Sequence, residues 1–174
     1  MERSGYDKIL KSMPIIWAKF NINDSAKFHP LVFHMLDTAN VAGLLWEEHL
    51  AHCLKTQVAS WLHISSEEAE GFIRIFTGLH DIGKASAFQY KIGEWDQKLA
   101  AAGLGITNPH PQPHGYVTEL CLAEEENAGW EAQGLKARKV LARLAGGHHG
   151  RFAESRDLLA LNSHALGGAN WRGL

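Results

Sequence analysis

Eleven histidines among 174 residues are the unusual feature of this chain. Four groups of them come at wide intervals: His34, the adjacent pair His80–Asp81, His114 and the doublet His148–His149. Neutral imidazoles with a carboxylate suit divalent transition metals such as manganese, iron, nickel or cobalt, with zinc and magnesium as further candidates. They do not suit calcium, which takes oxygen ligands. Neighbouring helical residues point about 100° apart, so His80 and Asp81 share a centre if the carboxylate bridges two ions while His80 holds one. Two ions about 3.5–4 Å apart would polarise a phosphodiester and supply a hydroxide nucleophile. Taken singly, each group has a plainer reading. His80–Asp81 is then a helix-terminal histidine beside a polar residue, and His34 a hydrogen-bonded core histidine. His114 is a loop histidine in a Pro-His stretch with His110, and His148–His149 an exposed turn between Gly147 and Gly150. Their order along separate helical elements argues for one centre.

The segment Gly78–Ala85, GLHDIGKA, nearly matches the phosphate-binding pattern G-x-x-x-x-G-K-[ST]. Ala85 lacks the hydroxyl that pattern uses for magnesium. Its context is also wrong, because the pattern follows a strand and opens a helix, whereas this segment closes a capped helix. Nucleoside-triphosphate binding is therefore a weak reading.

The elements that must position these residues read as helices. Asp24 to Pro30 reads as a loop. Leu31 to His52 is expected to be helical, with Leu31, His34, Val41, Leu44 and Leu45 near a 3.6 period. Ser65-Ser66-Glu67-Glu68 is a capping box, and the helix it opens carries Phe72, Ile73, Ile75, Phe76 and Leu79 on one face, ending near Gly83. Tyr90–Leu99 is a further candidate helix. Gly103–Pro113, with three prolines, is a loop. Helices follow over His114–Asn127, with Val117, Leu120 and Cys121 inward, and over Leu135–Ala145, with Leu135, Val140, Leu141 and Leu144 inward. Gly129–Gly134 separates these two. Arg151–Leu161 forms a last short helix, and Gly167–Asn170 a loose tail. No alternating strand pattern and no repeat stand out. The class is all-α.

Composition agrees with one globular domain: 45% hydrophobic, 21% charged. A net charge of −2 and a pI near 6.6 exclude a grossly basic nucleic-acid coat but not a local basic groove. No apolar run is long enough for a membrane span, and the charged start (Glu2, Arg3, Asp7, Lys8, Lys11) is unlike a signal peptide. A cytoplasmic location is expected. Cys53 and Cys121 are too few for a disulfide framework, and Cys121 reads as a buried thiol. The six tryptophans read as core or interface.

In this order, His34, His80-Asp81, His114 and His148-His149 resemble the HD phosphohydrolase superfamily. WAKF (Trp17–Phe20), HPLVFHMLDTANVAGLLWEEHL (His29–Leu50), GLHDIGKASAFQYK (Gly78–Lys91), His114-Gly115 and GGHHGRF (Gly146–Phe152) narrow the resemblance. They resemble the HD nuclease domain of the CRISPR-associated helicase-nuclease of type I systems. The resemblance covers nearly the whole chain, residues 1–174. It implies an HD-domain helical bundle with a centre of one or two metal ions between helices. It also implies degradation of the single-stranded DNA displaced by a guide RNA surveillance complex and fed by a helicase domain or subunit. By the family's motif, His34 and His80 hold one ion, Asp81 bridges, and His114, His148 and His149 hold the second. Lys84 stands at the family's lysine position, where it contacts the scissile phosphate or assists the leaving group; its plainer reading is a solvated helix-end lysine. The family pattern usually adds an aspartate well beyond the double histidine. Here Asp157, eight residues on, is the one Asp that follows. The expectation is thus a C-terminally truncated domain without its helicase part.

Two other readings are an HD-type phosphohydrolase of nucleotides and a non-catalytic module that docks on the guide RNA complex. Binding to DNA would call on a basic groove and aromatic stacking. Lys84, Lys91, Arg151 and Arg156 are the cation candidates and Phe88, Tyr90 and Trp95 the stacking candidates. Aromatics at such spacing are more often core, and Lys136, Arg138 and Lys139 read as a solvated helix face.

Overall fold

In the computed structural model, residues 13–21, 23–24, 27–124, 134–168 and 171 are described. A short antiparallel hairpin comes first, β1 (Trp17–Phe20) and β2 (Phe28–Pro30), with Lys19 opposite His29 and Phe20 opposite Phe28. The hairpin runs straight into α1 (Leu31–Leu44), whose first free amide, Leu31 N–H, donates to Ile16 O at 2.7 Å. That satisfies one of the donors every helix start leaves open. The helix widens into a π turn at Leu45–His49 and stops at Leu50, short of His52. Trp46 is buried in that turn against Ala59 and Ala69. Helix α2 (His52–Leu62) follows.

Ser65 caps α3 (Ser66–Gly78) with both bonds of a capping box: Glu68 N–H donates to Ser65 Oγ, and Ser65 N–H to Glu68 Oε2. Such a cap is worth about 0.5–2 kcal/mol. The α-helix ends at Gly78, and Leu79–Lys84 tightens into a 3₁₀ segment. Where a helix is expected over Tyr90–Leu99, two short 3₁₀ turns (Ala87–Lys91, Gly93–Trp95) lead into α4 (Asp96–Ala101). Then come α5 (His114–Ala123), α6 (Gly134–Gly146), α7 (Ser155–Leu159) and α8 (Ser163–Leu166). The expected parts of helix and break at 125–133 lie outside the described residues.

Among the described residues the fold is a helical bundle with one two-stranded sheet. The hairpin departs from the all-helical expectation because its strands are three and four residues long, too short to show alternation. Its core is aromatic: Trp17, Phe88, Trp95 and Trp171 pack with Leu99 and Leu104. Of the expected loose tail, Ala169 and Asn170 lie outside the described residues, while order is present on either side of it. Asn162 caps α8, and the buried Trp171 donates its indole N–H to Leu104 O.

Parts of three expected inner faces, on α1, α3 and α6, are turned outward. Val41, Leu44 and Leu45 are about half exposed, as are Ile75, Val140 and Leu144. On α6 the buried residues are Arg138, Ala142 and Ala145 instead, so Arg138 does not belong to a solvated face. The reason is close approach. A Cβ on Gly115 would lie 2.3 Å from Gly146 O, and one on Gly146 would lie 2.6 Å from Gly115 O. At that separation α5 and α6 admit only small side chains between them. No helix among the described residues is long and apolar enough to cross a membrane.

Candidate metal centre

Four elements bring the six candidate ligands together. His34 comes from the first turns of α1, His80 and Asp81 from the 3₁₀ segment after α3, and His114 from the start of α5. His148 and His149 come from the turn after α6, where Gly150 takes φ +76°. Asp81 is the hub and is 2% exposed. Its Oδ2 lies 3.1 Å from His34 Nε2, 3.4 Å from His80 Nε2 and 2.7 Å from Lys84 Nζ. Its Oδ1 lies 3.0 Å from His114 Nε2 and 3.4 Å from His148 Nε2. His149 Nε2 stands 3.1 Å from His114 Nε2. Two groups form, Asp81 with His114, His148 and His149, and Asp81 with His34 and His80.

The protonation pattern shows what such a cluster can hold. His80 Nδ1–H donates to Thr77 O at 2.8 Å, and His148 Nδ1–H to Ala145 O at 2.6 Å. Carbonyl oxygens only accept, so in the neutral rings Nε2 carries a lone pair. Those lone pairs are aimed at carboxylate oxygens that are themselves acceptors. Asp81 Oδ1 is buried with no hydrogen-bond partner although two imidazole nitrogens face it. Acceptors converging on one point call for a cation, and nitrogen with one oxygen donor suits a divalent metal. The donor set therefore fits the group.

The electrostatics run the same way. Burial alone would raise the pKa of Asp81, but contacts with His114, His148, His80 and Lys84 outweigh it and hold the carboxyl far below its ordinary range. Burial lowers His34, His114 and His149, which favours the neutral imidazole that binds metals. His148 is raised, first by the Asp81 carboxylate that faces it.

Lys84 points inward. It is 6% exposed, and its ammonium donates to Asp81 Oδ2 and, at 3.1 Å, to Ala18 O. That puts it behind the carboxylate, tying β1 to it, rather than on a solvated helix end. The stacking candidates are in the core. Trp95 and Phe88 are buried, and Tyr90 O–H donates to Leu104 O. Lys91 lies over Phe88, Arg156 pairs with Glu154, and Arg151 is exposed beside Tyr116.

Two positioning residues escape a reading by residue type. Thr118, fully buried on α5, accepts from Gly83 N–H at 3.0 Å and donates to His80 O at 3.1 Å. Gln89, also fully buried, accepts from Trp17 N–H and donates to Trp17 O and Lys84 O. Both are polar residues within apolar stretches, which is the signal that could have found them. Cys121 is half-buried rather than fully buried, and burial pushes its thiol pKa up to about 11.

The family model for the Cas3 HD domain matches residues 17–173. The CRISPR-associated nuclease/helicase Cas3 of Streptococcus thermophilus is 29% identical, over 84% of this chain and 17% of its own length. The CRISPR-associated endonuclease/helicase Cas3 of Thermus thermophilus is 32% identical, over 86% of this chain and 16% of its own. A crystal structure of a CRISPR-associated protein superposes with TM-score 0.84 at 30% identity, covering 97% of this chain and 19% of that one. T. fusca Cas3 bound to ATP superposes with TM-score 0.67 at 30% identity, over 91% and 18%. The chain thus spans less than a fifth of each of these relatives.

Proposed function

This chain belongs to the Cas3 HD-domain family, and from that premise we propose that it is a metal-dependent nuclease domain for single-stranded DNA. Its substrate is the target strand displaced in type I CRISPR interference, delivered by a helicase partner and presented by the guide RNA surveillance complex. The observation that carries this reading is a buried carboxylate, Asp81, with four imidazole nitrogens within 3.4 Å divided between its two oxygens.

The two groups of side chains around Asp81 would hold one or two divalent ions. His34 and His80 complete the Oδ2 side, and His114, His148 and His149 the Oδ1 side. Manganese, iron, nickel and cobalt fit these donors best. Bound there, such an ion would supply Lewis-acid polarisation of a phosphodiester and a more acidic water. The chain's own residues do the rest. Thr77 O and Ala145 O fix the rings of His80 and His148. Lys84 balances the charge of Asp81 and holds it in place from behind. The packed elements around Asp81 keep bulk water from its carboxylate.

The test is degradation of circular single-stranded DNA by the purified chain with manganese, nickel or cobalt. Loss of the circle is expected for wild type and not for Asp81→Ala. A circle that survives wild type with every metal, or that Asp81→Ala degrades at the wild-type rate, overturns the reading.

A further inference from the structure

His34 comes to the cluster from α1, and its ring is held differently from those of His80 and His148. Those two donate to carbonyl oxygens. Among the described residues no carbonyl takes a hydrogen from the His34 ring, whose Nε2 meets Asp81 Oδ2. Its other neighbours are rings. The His80 ring stands 5.4 Å away at 65°, within the cluster, and the His29 ring 6.0 Å away at 81°. His29 belongs to neither group of candidate ligands.

The backbone places His29. In the hairpin register Phe20 faces Phe28, and both rings pack edge-on to Trp95 in the core. Successive pairs point to opposite faces of a ladder, so the next pair, Lys19 with His29, turns away from that core. Pro30 then leads directly into α1, and the bond from Leu31 N–H to Ile16 O pins the junction. The His29 side chain meets Asp37 on α1, with Nε2 3.0 Å from Oδ2. A carboxylate only accepts, so this Nε2 carries the hydrogen and offers no lone pair to a cation. Residues three apart on a helix are neighbours on its surface, so Asp37 stands beside His34 and the His29 ring touches both. The His29 and Asp37 side chains are 41% and 67% exposed, and such a surface pair stabilises a fold little. Its effect is on direction. Asp37 stops the His29 ring from turning, and the stopped ring closes one side of His34.

We propose that His29 and Asp37 are positioning residues for His34: Asp37 holds the His29 ring, and that ring keeps the His34 imidazole turned to Asp81. Neither binds the ion. The pair sets how tightly the Oδ2 side takes one. The inference rests on the metal-centre reading and adds which groups outside the ligand set complete it.

The test is calorimetric titration of the 174-residue chain with cobalt, and the reference is the component of binding that His34→Ala removes. His29→Ala and Asp37→Ala are each expected to weaken that component about tenfold, the low end of the range for partners of metal ligands, and to leave the rest of the cobalt binding unchanged. The double variant should lose no more than the worse single variant, because the two side chains act through one contact. Asp37→Asn, whose side-chain oxygen still accepts from His29, should restore wild-type binding. Unchanged affinity in both single variants, additive losses, equal weakening of all cobalt binding, or an Asp37→Asn as weak as Asp37→Ala overturns the pair and leaves the metal centre intact. An effect in one single variant and not the other would make that residue a ligand and overturns the pair as well. A wild type that binds no cobalt, or that loses none of it in His34→Ala, overturns the Oδ2 side itself and this inference with it.

Discussion

The two sides of Asp81 differ in construction although they share one carboxylate. On the Oδ1 side, three imidazoles from α5 and the turn after α6 join the carboxylate, giving four ligand atoms. On the Oδ2 side, His34 and His80 with the carboxylate give three, and the Lys84 ammonium already occupies part of that oxygen's acceptor capacity. Four ligand atoms close a tetrahedral site, whereas three leave a position for water or substrate. The comparison teaches that two ions held here would not be equivalent. The Oδ1 side should hold its ion tightly, and the Oδ2 side should hold one weakly and stay open.

The largest effect expected is that of Asp81→Ala. It removes the ligand common to both sides, so bound cobalt should fall from two ions per chain to fewer than one, and nuclease activity should fall to background. A variant that keeps one tight ion would show that the carboxylate is not shared. Next come the single-side variants. In His34→Ala the tight ion should remain and the weak one be lost. In His114→Ala only weak binding should survive. Calorimetric titration with cobalt distinguishes the two, and equal losses would erase the asymmetry. Lys84→Met should act more mildly. Partners that orient metal ligands are worth about 10–100-fold in affinity or activity, and the loss should fall on the weaker ion first.

The smallest effect is on the stability of the metal-free chain. His34, His114 and His149 have lowered pKa values, chiefly through burial. Below the unfolded value of about 6.5, the unfolded chain binds protons that these folded rings refuse, so their contribution is present above that pH and is lost as pH falls toward the lowered values. His148, raised mainly by the Asp81 carboxylate that faces it, contributes in the opposite sense, lost as pH rises through its folded value. Three groups against one predict a lower Tm at about pH 5.5 than at about pH 7. A flat or rising Tm on acidification would mean that the Oδ1 side, through His148, governs the titration.

What could be seen in the sequence followed residue chemistry more closely than packing. The capping box at Ser65 was legible because its signal is local and its bonds join residues three apart. The six candidate ligands were legible by type and order, and the structure gathers all of them. The inner face of α6 was not legible. Periodicity selects Val140 and Leu144, whereas the backbone contact at Gly115 and Gly146 selects Ala142 and Ala145. On α1, the stripe of His34 does reach the cluster at its first turns, yet the same stripe at Val41 and Leu45 is exposed. Gln89 and Thr118 were hidden because they act on backbone groups distant in sequence, at separations of 72 and 35 residues.

The rings of His80 and His148 are oriented by main-chain oxygens, Thr77 O and Ala145 O. A carbonyl is present whatever side chain the residue carries. Side-chain replacement at 77 or 145 therefore leaves the orienting group itself in place, and evolutionary drift at those positions is bounded by helix packing rather than by ligand chemistry. The same anchoring couples the two ligands to the last turns of α3 and α6. Fraying of either helix end would loosen its imidazole, so amide exchange at those ends should slow when metal is added.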